Sequence, residues 1–361
     1  MHILGQGNNP ILKTVIAQKY RKLIWGIKNK ARGLVNIPHR LRQRFPFHVS
    51  LLGTPKGPNF PIILPRGYET KGTGGIGNKN NRREANRDKF KEICDFLSKK
   101  YGFNLKQEPI RFVTHEAIEK RTKAIKCEDY NIYLHILKTN KNELQQLLKL
   151  IVPPETSFFR TPEQLLRLKT IVPEIIKRKK YDRSLRIWCA GCATGEEVWS
   201  IAMILHSLQE EEPGLADWKF EIHATDIVED FLEIAEKGEY SSQSVKNIKN
   251  KEFLSLFNRF TEKTKSKYYI NDEIKKTVKI IFKKHNLMKD FNCKPDIIFC
   301  RNVLIYFTQE RMREVLEKIH ERLPKDGYLF LTDVVGAIEG IFRVSLGFKH
   351  IGSTIYQKLH K

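Results

Sequence analysis

The segment that most constrains the fold spans residues 185–202, LRIWCAGCATGEEVWSIA, where an apolar run leads through a small-residue loop into a helical pattern. The run at residues 185–188 has the length and branching of a buried strand. A strand followed by a glycine loop and a helix is how α/β proteins bring their backbone close to a nucleotide-like ligand. Gly191 and Gly195 lack the Cβ atom that would block this approach, so the segment predicts a ligand-binding turn.

The chemistry of the loop narrows the class of ligand. It has neither the G-x-G-x-x-G pattern of dinucleotide sites nor the Gly-Lys-Ser/Thr of phosphate loops. Glu196 and Glu197 at the helix start suit the helix dipole, but they would repel a pyrophosphate. The loop therefore favours a nucleoside without phosphates, with S-adenosylmethionine (AdoMet) the obvious candidate, over an ordinary tight crossover. Cys189 and Cys192 could form a redox or metal pair, but nothing else in the sequence completes a metal site, so we interpret them as small loop residues.

Polar residues follow further predicted strands. These strands are residues 218–224, 296–300 and 328–332. Asp226 stands at the tip of the first of them, where a carboxylate can accept hydrogen bonds from ribose hydroxyls, although a lone Asp there also suits a helix N-cap. Because ligands of open α/β sheets sit at the carboxyl ends of strands, we expect Gly191, Asp226 and Asn302 to converge on one crevice.

Five short segments occur in an order that resembles a known family. They are ETSFFR (155–160), ATGEE (193–197), ATDI (224–227), NL (286–287) and CRNVLIYF (300–307). Together they resemble the signature segments of the CheR-type chemotaxis methyltransferases, which use AdoMet to methylate glutamate side chains of chemoreceptors. The resemblance runs from about Asp88 to the C-terminus.

The resemblance implies an α/β fold with two folded parts. A small all-α domain at residues 86–152 is expected to precede a Rossmann-like class I AdoMet methyltransferase domain at residues 153–361. A small antiparallel β-subdomain is expected to interrupt the latter at about residues 240–284, with strands at 267–270 and 277–282. The implied partner is the acidic, glutamate-bearing cytoplasmic helical domain of a chemoreceptor.

The resemblance also assigns roles to individual residues. Arg160 and Tyr306 match positions implicated in catalysis, Arg160 to hold a carboxylate and Tyr306 to lie near the transferred methyl group; a structural salt bridge is the alternative for Arg160. The positions implied to bind AdoMet, or its product S-adenosylhomocysteine (AdoHcy), are Thr156, Arg160, Gly191, Glu197, Asp226, Asn286, Leu287, Arg301 and Asn302. No metal is expected. We interpret Phe158 and Phe159 as core residues.

The chain departs from the family pattern at several points. Where the family usually shows Gly-His-Ser-Glu after the fourth strand, this chain has Thr332-Asp-Val-Val335, and Val198-Trp199 replaces Pro-Tyr. These departures put substrate choice and turnover in doubt and leave a non-catalytic AdoMet-binding adaptor as an alternative. Some relatives dock a receptor-tethered peptide on a glycine-rich loop of the β-subdomain. Residues 260–267 contain no glycine, so tether docking is not expected.

Charge is concentrated at the N-terminus. Residues 1–68 contain 12 Lys or Arg and no Asp or Glu, and residues 1–89 carry +15 of the total charge of +24. We interpret residues 1–85 as a basic, Gly- and Pro-containing extension that is disordered. A transit peptide, a membrane-surface segment, a nucleic-acid arm and a misassigned start codon stay open. A nucleic-acid methyltransferase is the alternative that the charge suggests, but the Asn-Pro-Pro-Tyr type of motif is absent and no nucleic-acid partner is expected.

Further features concern location and partner binding. Six cysteines without a paired framework indicate reduced thiols and a cytoplasmic setting, and no apolar run approaches the roughly 18 residues that span a membrane. A monomer is expected. Helical patterns begin near residues 87, 109, 130 and 140. Lys120, Arg121, Lys123 and Lys126 cluster near the end of the second of these helices. They either form a solvated face or steer an acidic substrate.

Overall fold

The computed structural model describes residues 79–179, 182–332 and 346–359, with side chains from residue 88 onward. Most of the predicted disordered extension and residues 333–335 therefore lie outside the described residues. The first helix begins at Lys79, ahead of the predicted start near residue 87. No proline or glycine interrupts residues 79–87, so the helix continues into the segment that the sequence assigned to the extension.

Four helices come first in the described chain, and from residue 162 onward helices and strands are interspersed. The helices are α1 (Lys79–Tyr101), α2 (Ile110–Ala124), α3 (Tyr130–Thr139), α4 (Lys141–Ile151), α5 (Pro162–Arg178), α6 (Glu196–Glu211), α7 (Glu229–Lys237), α8 (Ser242–Val245), α9 (Lys251–Arg259), α10 (Asp272–Thr277) and α11 (Gln309–Arg322). The strands are β1 (Ser184–Ala190), β2 (Lys219–Asp226), β3 (Glu239–Ser241), β4 (Thr261–Thr264), β5 (Lys267–Ile270), β6 (Lys279–Lys284), β7 (Ile297–Cys300), β8 (Tyr328–Leu331), β9 (Phe348–Gly352) and β10 (Ile355–Lys358). Two 3₁₀ turns lie at Pro213–Leu215 and Leu304–Tyr306.

Seven strands form the main sheet, in the order β6-β2-β1-β7-β8-β10-β9. The first five strands in this order are parallel to one another, whereas β10 pairs antiparallel with both β8 and β9. From β1 the chain builds outward to β2 and β6, and it then returns to build β7 and β8 on the other side. The strand order therefore reverses between β1 and β7, which is the point where open α/β sheets bind ligands. The predicted fold class is confirmed.

The core forms on both faces of this sheet. Strands β1 and β7 are almost entirely buried, as expected of central parallel strands. Helix α6 is buried from Val198 to Leu208 because α5, α9 and α10 pack around it. The predominantly apolar sequence of this helix after the glycine loop reflects its buried position.

A second sheet of three antiparallel strands, in the order β3-β5-β4, forms the β-subdomain. The prediction that residues 277–282 form a strand of this subdomain was wrong. That stretch is the end of α10 and the beginning of β6, which pairs in parallel with β2 over Glu221↔Lys279 to Asp226↔Lys284. The sequence KIIFKK of β6 predicts a strand, but its hydrophobic pattern does not determine which other strand it pairs with.

Helices α1–α4 bury a core of their own, which also includes Val228 and Phe231 from the start of α7. Polar contacts cross the same boundary: Gln145 accepts a hydrogen bond from the backbone N–H of Glu229 at 3.0 Å, and Lys149 pairs with Asp230 at 2.6 Å. The helical part is thus packed against the sheet part. Among the described residues, no helix has the length and apolar character needed to cross a membrane.

Candidate functional site

A large crevice opens at the carboxyl ends of the central strands, beside the point where the strand order reverses. It encloses about 1140 Å³, part of it open to solvent, and is lined mainly by apolar surface. All ten residues that the sequence assigned to the site line it: Thr156, Arg160, Gly191, Glu197, Asp226, Asn286, Leu287, Arg301, Asn302 and Tyr306.

The glycine loop follows β1 and is fixed by hydrogen bonds to the end of β2. The backbone N–H groups of Gly191 and Cys192 both donate to the carbonyl of Thr225, at 2.8 and 2.9 Å. Gly191 has a φ of +86°, and a Cβ atom there would lie 2.3 Å from Cγ2 of Val303. The glycine is therefore required by backbone conformation and by the close approach of the loop after β7.

Replacement of Gly191 by alanine should lower the melting temperature by several degrees and weaken AdoHcy binding. The left-handed conformation costs a non-glycine residue about 1–2 kcal/mol, and the clash displaces Val303 beside the crevice. Gly214→Ala is the matched control, because no atom lies within 4 Å of its Cβ position. Thermal melting and calorimetry of both variants check this, and equal behaviour of the two variants would contradict it.

Asp226, at the end of β2, holds the glycine loop to this strand. Its carboxylate accepts hydrogen bonds from the N–H of Ala193 at 2.9 Å and of Val228 at 3.0 Å. Burial raises the pKa of Asp226, although these backbone donors lower it. The alternative that Asp226 is a helix N-cap was wrong, because Val228 is the N-cap residue of α7 and no side chain caps that helix. Each carboxylate oxygen has a further lone pair, so the side chain can also accept from a ligand hydroxyl.

A buried ion pair joins the start of α6 to the end of β7. Nη1 of Arg301 lies 3.0 Å from Oε2 of Glu197, and the Arg301 side chain is only 3% exposed. Burial raises the pKa of Glu197, while Arg301 and Arg160 lower it. Nε of Arg301 is buried without a hydrogen-bond partner among the described residues. A buried donor of this kind in the wall of the crevice fits a polar ligand or a bound water.

Arg160 is held beside this pair by the backbone. Nη2 of Arg301 donates to the carbonyl of Arg160 at 2.7 Å, and Nη1 of Arg160 donates to the carbonyl of Glu155. Burial lowers the pKa of Arg160, and the positive charge of Arg301 lowers it further. The guanidinium therefore sits in a partly dehydrated place where an added carboxylate would be favoured.

Tyr306 lies on the loop after β7, and the helical part of the molecule fixes it there. The backbone N–H of Asn104 donates to the carbonyl of Tyr306 at 2.7 Å, and Phe103 forms an antiparallel bridge with Phe307. Tyr306 and Arg160, the two predicted catalytic side chains, both line the crevice.

Asn286 and Leu287 follow β6, at the far side of the crevice. Oδ1 of Asn286 accepts from the N–H of Met288 at 3.0 Å, and Nδ2 donates to the carbonyl of Lys100 at 2.9 Å. Asn286 therefore links the crevice wall to the end of α1. Leu287 is buried, and Thr156, in the segment that precedes α5, is half-buried.

Part of the crevice wall was not predicted from the sequence. The helical part contributes Tyr101 and Phe103, α7 contributes Phe231, and His285 precedes Asn286. Nothing in the sequence marks the aromatic residues, because they reach the crevice only through packing between distant segments. Phe158 and Phe159, predicted as core residues, are buried against Tyr240 and Phe253 and do not line the crevice.

Two further predictions concern cysteines and basic residues. Cys189 and Cys192 are free thiols, and burial raises the pKa of both well above the usual value, which makes them poor nucleophiles or metal ligands. Arg121 does not belong to a solvated basic face. It pairs with the buried Glu143 through two hydrogen bonds of 2.9 and 2.5 Å, which leaves Lys120, Lys123 and Lys126 exposed.

One group of side chains among the described residues could offer ligands to a metal ion: His206, Glu210 and Glu273. None of them lines the crevice. Arg259 already pairs with both carboxylates, at 2.6 Å from Glu210 and 3.4 Å from Glu273. The group is therefore explained as an ion-pair network at the surface.

Comparisons with known proteins point to one family. Residues 154–357 match the model of the CheR methyltransferase, SAM binding domain. Chemotaxis protein methyltransferase 2 of Vibrio cholerae is 32% identical over 280 residues, which cover 75% of this chain and 93% of that protein. The chemotaxis protein methyltransferase of Borreliella burgdorferi is 28% identical over 253 residues, covering 68% and 87%. An uncharacterized 104.1 kDa protein of Rhodobacter capsulatus is 32% identical over 234 residues, which cover 64% of this chain but only 23% of that protein.

Proposed function

Because the chain belongs to the CheR methyltransferase family and is an AdoMet-dependent methyltransferase, we propose that it methylates glutamate side chains on the cytoplasmic helices of a chemoreceptor. The observation that carries the proposal is that Arg160 and Tyr306 line the same crevice as the buried Glu197–Arg301 ion pair. A guanidinium is the side chain best suited to hold a carboxylate in a fixed orientation.

AdoMet supplies an electrophilic methyl group on a sulfonium when it is bound. In the proposed binding arrangement, the nucleoside part of AdoMet is held by the glycine loop and by Asp226, Asn286 and Leu287. The polar tail of AdoMet is held by Glu197, Arg301 and Thr156. These assignments rest on the family resemblance and on the place of each residue in the crevice wall. Asp226 and Glu197 retain lone pairs that can accept hydrogen bonds from the ligand.

The reaction is an in-line displacement. An oxygen of the substrate carboxylate forms a bond to the methyl carbon as the carbon–sulfur bond breaks, and the electron pair of that bond stays on sulfur in AdoHcy. Glutamate, with a pKa of about 4.3, is already ionised at neutral pH, so no general base is needed. Arg160 orients the carboxylate, Tyr306 lies near the methyl group, and the apolar wall excludes water, so alignment and desolvation supply the rate enhancement.

Three exposed lysines near the end of α2 offer positive charge to an acidic substrate helix. Lys120, Lys123 and Lys126 would attract such a partner at low ionic strength. The tight turn between β4 and β5 contains no glycine. We therefore propose that the enzyme acts without a peptide tether. The six free cysteines fit a reducing compartment, and we propose that the enzyme acts in the cytoplasm as a monomer.

The pH dependence of turnover tests the absence of a general base. We expect turnover to be flat from about pH 6.5 to 8.5, since the nucleophile is ionised throughout this range. At lower pH it should fall, because the substrate carboxylate becomes protonated and because burial raises the pKa of Glu197 and Asp226. A steep rise with an apparent pKa near 7 would reveal a base and contradict the mechanism.

The product identifies the substrate class. After incubation with AdoMet labelled in the methyl group, a receptor cytoplasmic fragment should carry label that mild alkali releases as methanol, because a methyl ester hydrolyses under these conditions. RNA or DNA offered under the same conditions should remain unlabelled. Alkali-stable label on nucleic acid would support a nucleic-acid methyltransferase, and AdoMet binding without label on any receptor fragment would support an adaptor.

A further inference from the structure

Asn302, in the crevice wall, has an unusual backbone conformation. Its φ is +57°, in the left-handed region that few non-glycine residues adopt. The next residue, Val303, lies against Gly191, since a Cβ atom on that glycine would meet Val303 at 2.3 Å. The conformation of Asn302 thus sets how closely the loop after β7 approaches the glycine loop.

One side chain outside the crevice fixes this conformation. The backbone N–H of Asn302 donates a hydrogen bond to Oγ1 of Thr332 at 2.6 Å. Thr332 follows β8 directly, and the last residues of β7 and β8, Cys300 and Leu331, are partners in the sheet. Residues 302 and 332 therefore lie just beyond a paired strand end. Thr332 itself does not line the crevice.

Thr332 follows a residue that is held firmly from two sides. The carbonyl of Leu331 accepts hydrogen bonds from Nε2 of the buried Gln164 at 2.6 Å and from Oγ1 of Thr354 at 2.8 Å. The N–H of Leu331 donates to the carbonyl of Thr354 at 3.1 Å. A hydroxyl attached to this rigid strand end is a fixed acceptor rather than a mobile one.

We propose that Thr332 is a positioning residue for the AdoMet site: its hydroxyl holds Asn302 in the left-handed conformation that places Asn302 and Val303 against the glycine loop. Thr332 thus accepts a hydrogen bond from the backbone of a crevice residue without lining the crevice itself. The inference rests on the proposed role of Asn302 in AdoMet binding.

The hydroxyl can be removed with little change of shape. Thr332→Val deletes the acceptor, and Thr332→Ser keeps it. We expect Thr332→Val to weaken AdoHcy binding about tenfold, because the Asn302 N–H loses its partner and the loop relaxes from the strained conformation. Thr332→Ser should bind within about twofold of the wild type. Thr277→Val is the control, since its hydroxyl donates to a helix carbonyl at an exposed position.

Calorimetry with AdoHcy and thermal melting of the ligand-free protein are the two measurements. The positioning role predicts three results. Thr332→Val binds AdoHcy about tenfold more weakly than the wild type, and Thr332→Ser keeps the affinity. The ligand-free melting temperature of Thr332→Val stays close to that of the wild type. Unchanged affinity in Thr332→Val, equal losses in the valine and serine variants, or a loss matched by general destabilisation would overturn it. The binding assay needs no methyl acceptor, so it gives its answer even if glutamate proves not to be the substrate.

Discussion

Arg160→Lys is expected to lower kcat by about 10- to 100-fold while the affinity for AdoMet changes much less. Lysine keeps the positive charge but lacks the two parallel N–H groups that hold a carboxylate in one orientation, and a lost charged hydrogen bond costs about 1.5–3 kcal/mol. The effect belongs on kcat because orientation matters most in the transition state. Tyr306→Phe, which removes only the hydroxyl, should also reduce kcat more than affinity.

Steady-state kinetics on a receptor fragment, together with calorimetric AdoHcy binding, separate the two effects. Arg183→Lys is the matched control, since Arg183 pairs with Asp217 on the surface, where both side chains are more than half exposed. Undiminished turnover in Arg160→Lys and Tyr306→Phe would remove both residues from the proposed chemistry. A loss of AdoHcy affinity as large as the loss of turnover would instead make Arg160 a cofactor ligand alone.

Asp226→Ala should abolish AdoHcy binding at micromolar concentrations or weaken it more than tenfold. The substitution removes the proposed acceptor for the ribose and leaves the N–H groups of Ala193 and Val228 without their partner. Each unpaired buried group costs about 1–3 kcal/mol, and every 1.4 kcal/mol is a factor of about ten in affinity. The glycine loop loses its link to the end of β2 at the same time, so the melting temperature should fall as well.

Asp226→Asn separates the two roles of this carboxylate. Asparagine keeps one oxygen that can accept from a backbone N–H, so the loop should be held better than in Asp226→Ala and the melting temperature should recover in part. Asp217→Ala, on the exposed surface, is the control. Binding of AdoHcy by Asp226→Ala with the affinity of the wild type would show that Asp226 serves the loop only.

The parts of the fold that local sequence determines were predicted correctly. The glycine loop, the strands before and after it and the helices of the N-terminal part each follow from periodicity and from residues that only certain turns accept. The family resemblance, confirmed by the comparisons, added the expected fold and the candidate residues. Their convergence in one crevice follows because parallel strands present their carboxyl ends at the same edge.

Apart from the early start of α1, the errors and omissions concern partners far away in the chain. β6 was assigned to the wrong sheet because its apolar pattern does not name its neighbour, β2. Arg121 was counted in the basic cluster with Lys120, Lys123 and Lys126 because the sequence does not show that its side chain pairs with Glu143. The hydrogen bond of Asn104 with Tyr306, which attaches the helical part to the loop after β7, joins residues that no local pattern connects.

The most direct test of the central claim is to locate the methyl group on its acceptor by fragmentation mass spectrometry. A chemoreceptor cytoplasmic fragment would be incubated with the full-length protein and AdoMet, and its peptides compared with those from an incubation with Arg160→Lys. We expect methyl esters on glutamate side chains of the receptor helices, and far fewer with the variant. Methyl groups on other residue types, or an unmodified receptor fragment beside a protein that binds AdoMet, would contradict the proposed function.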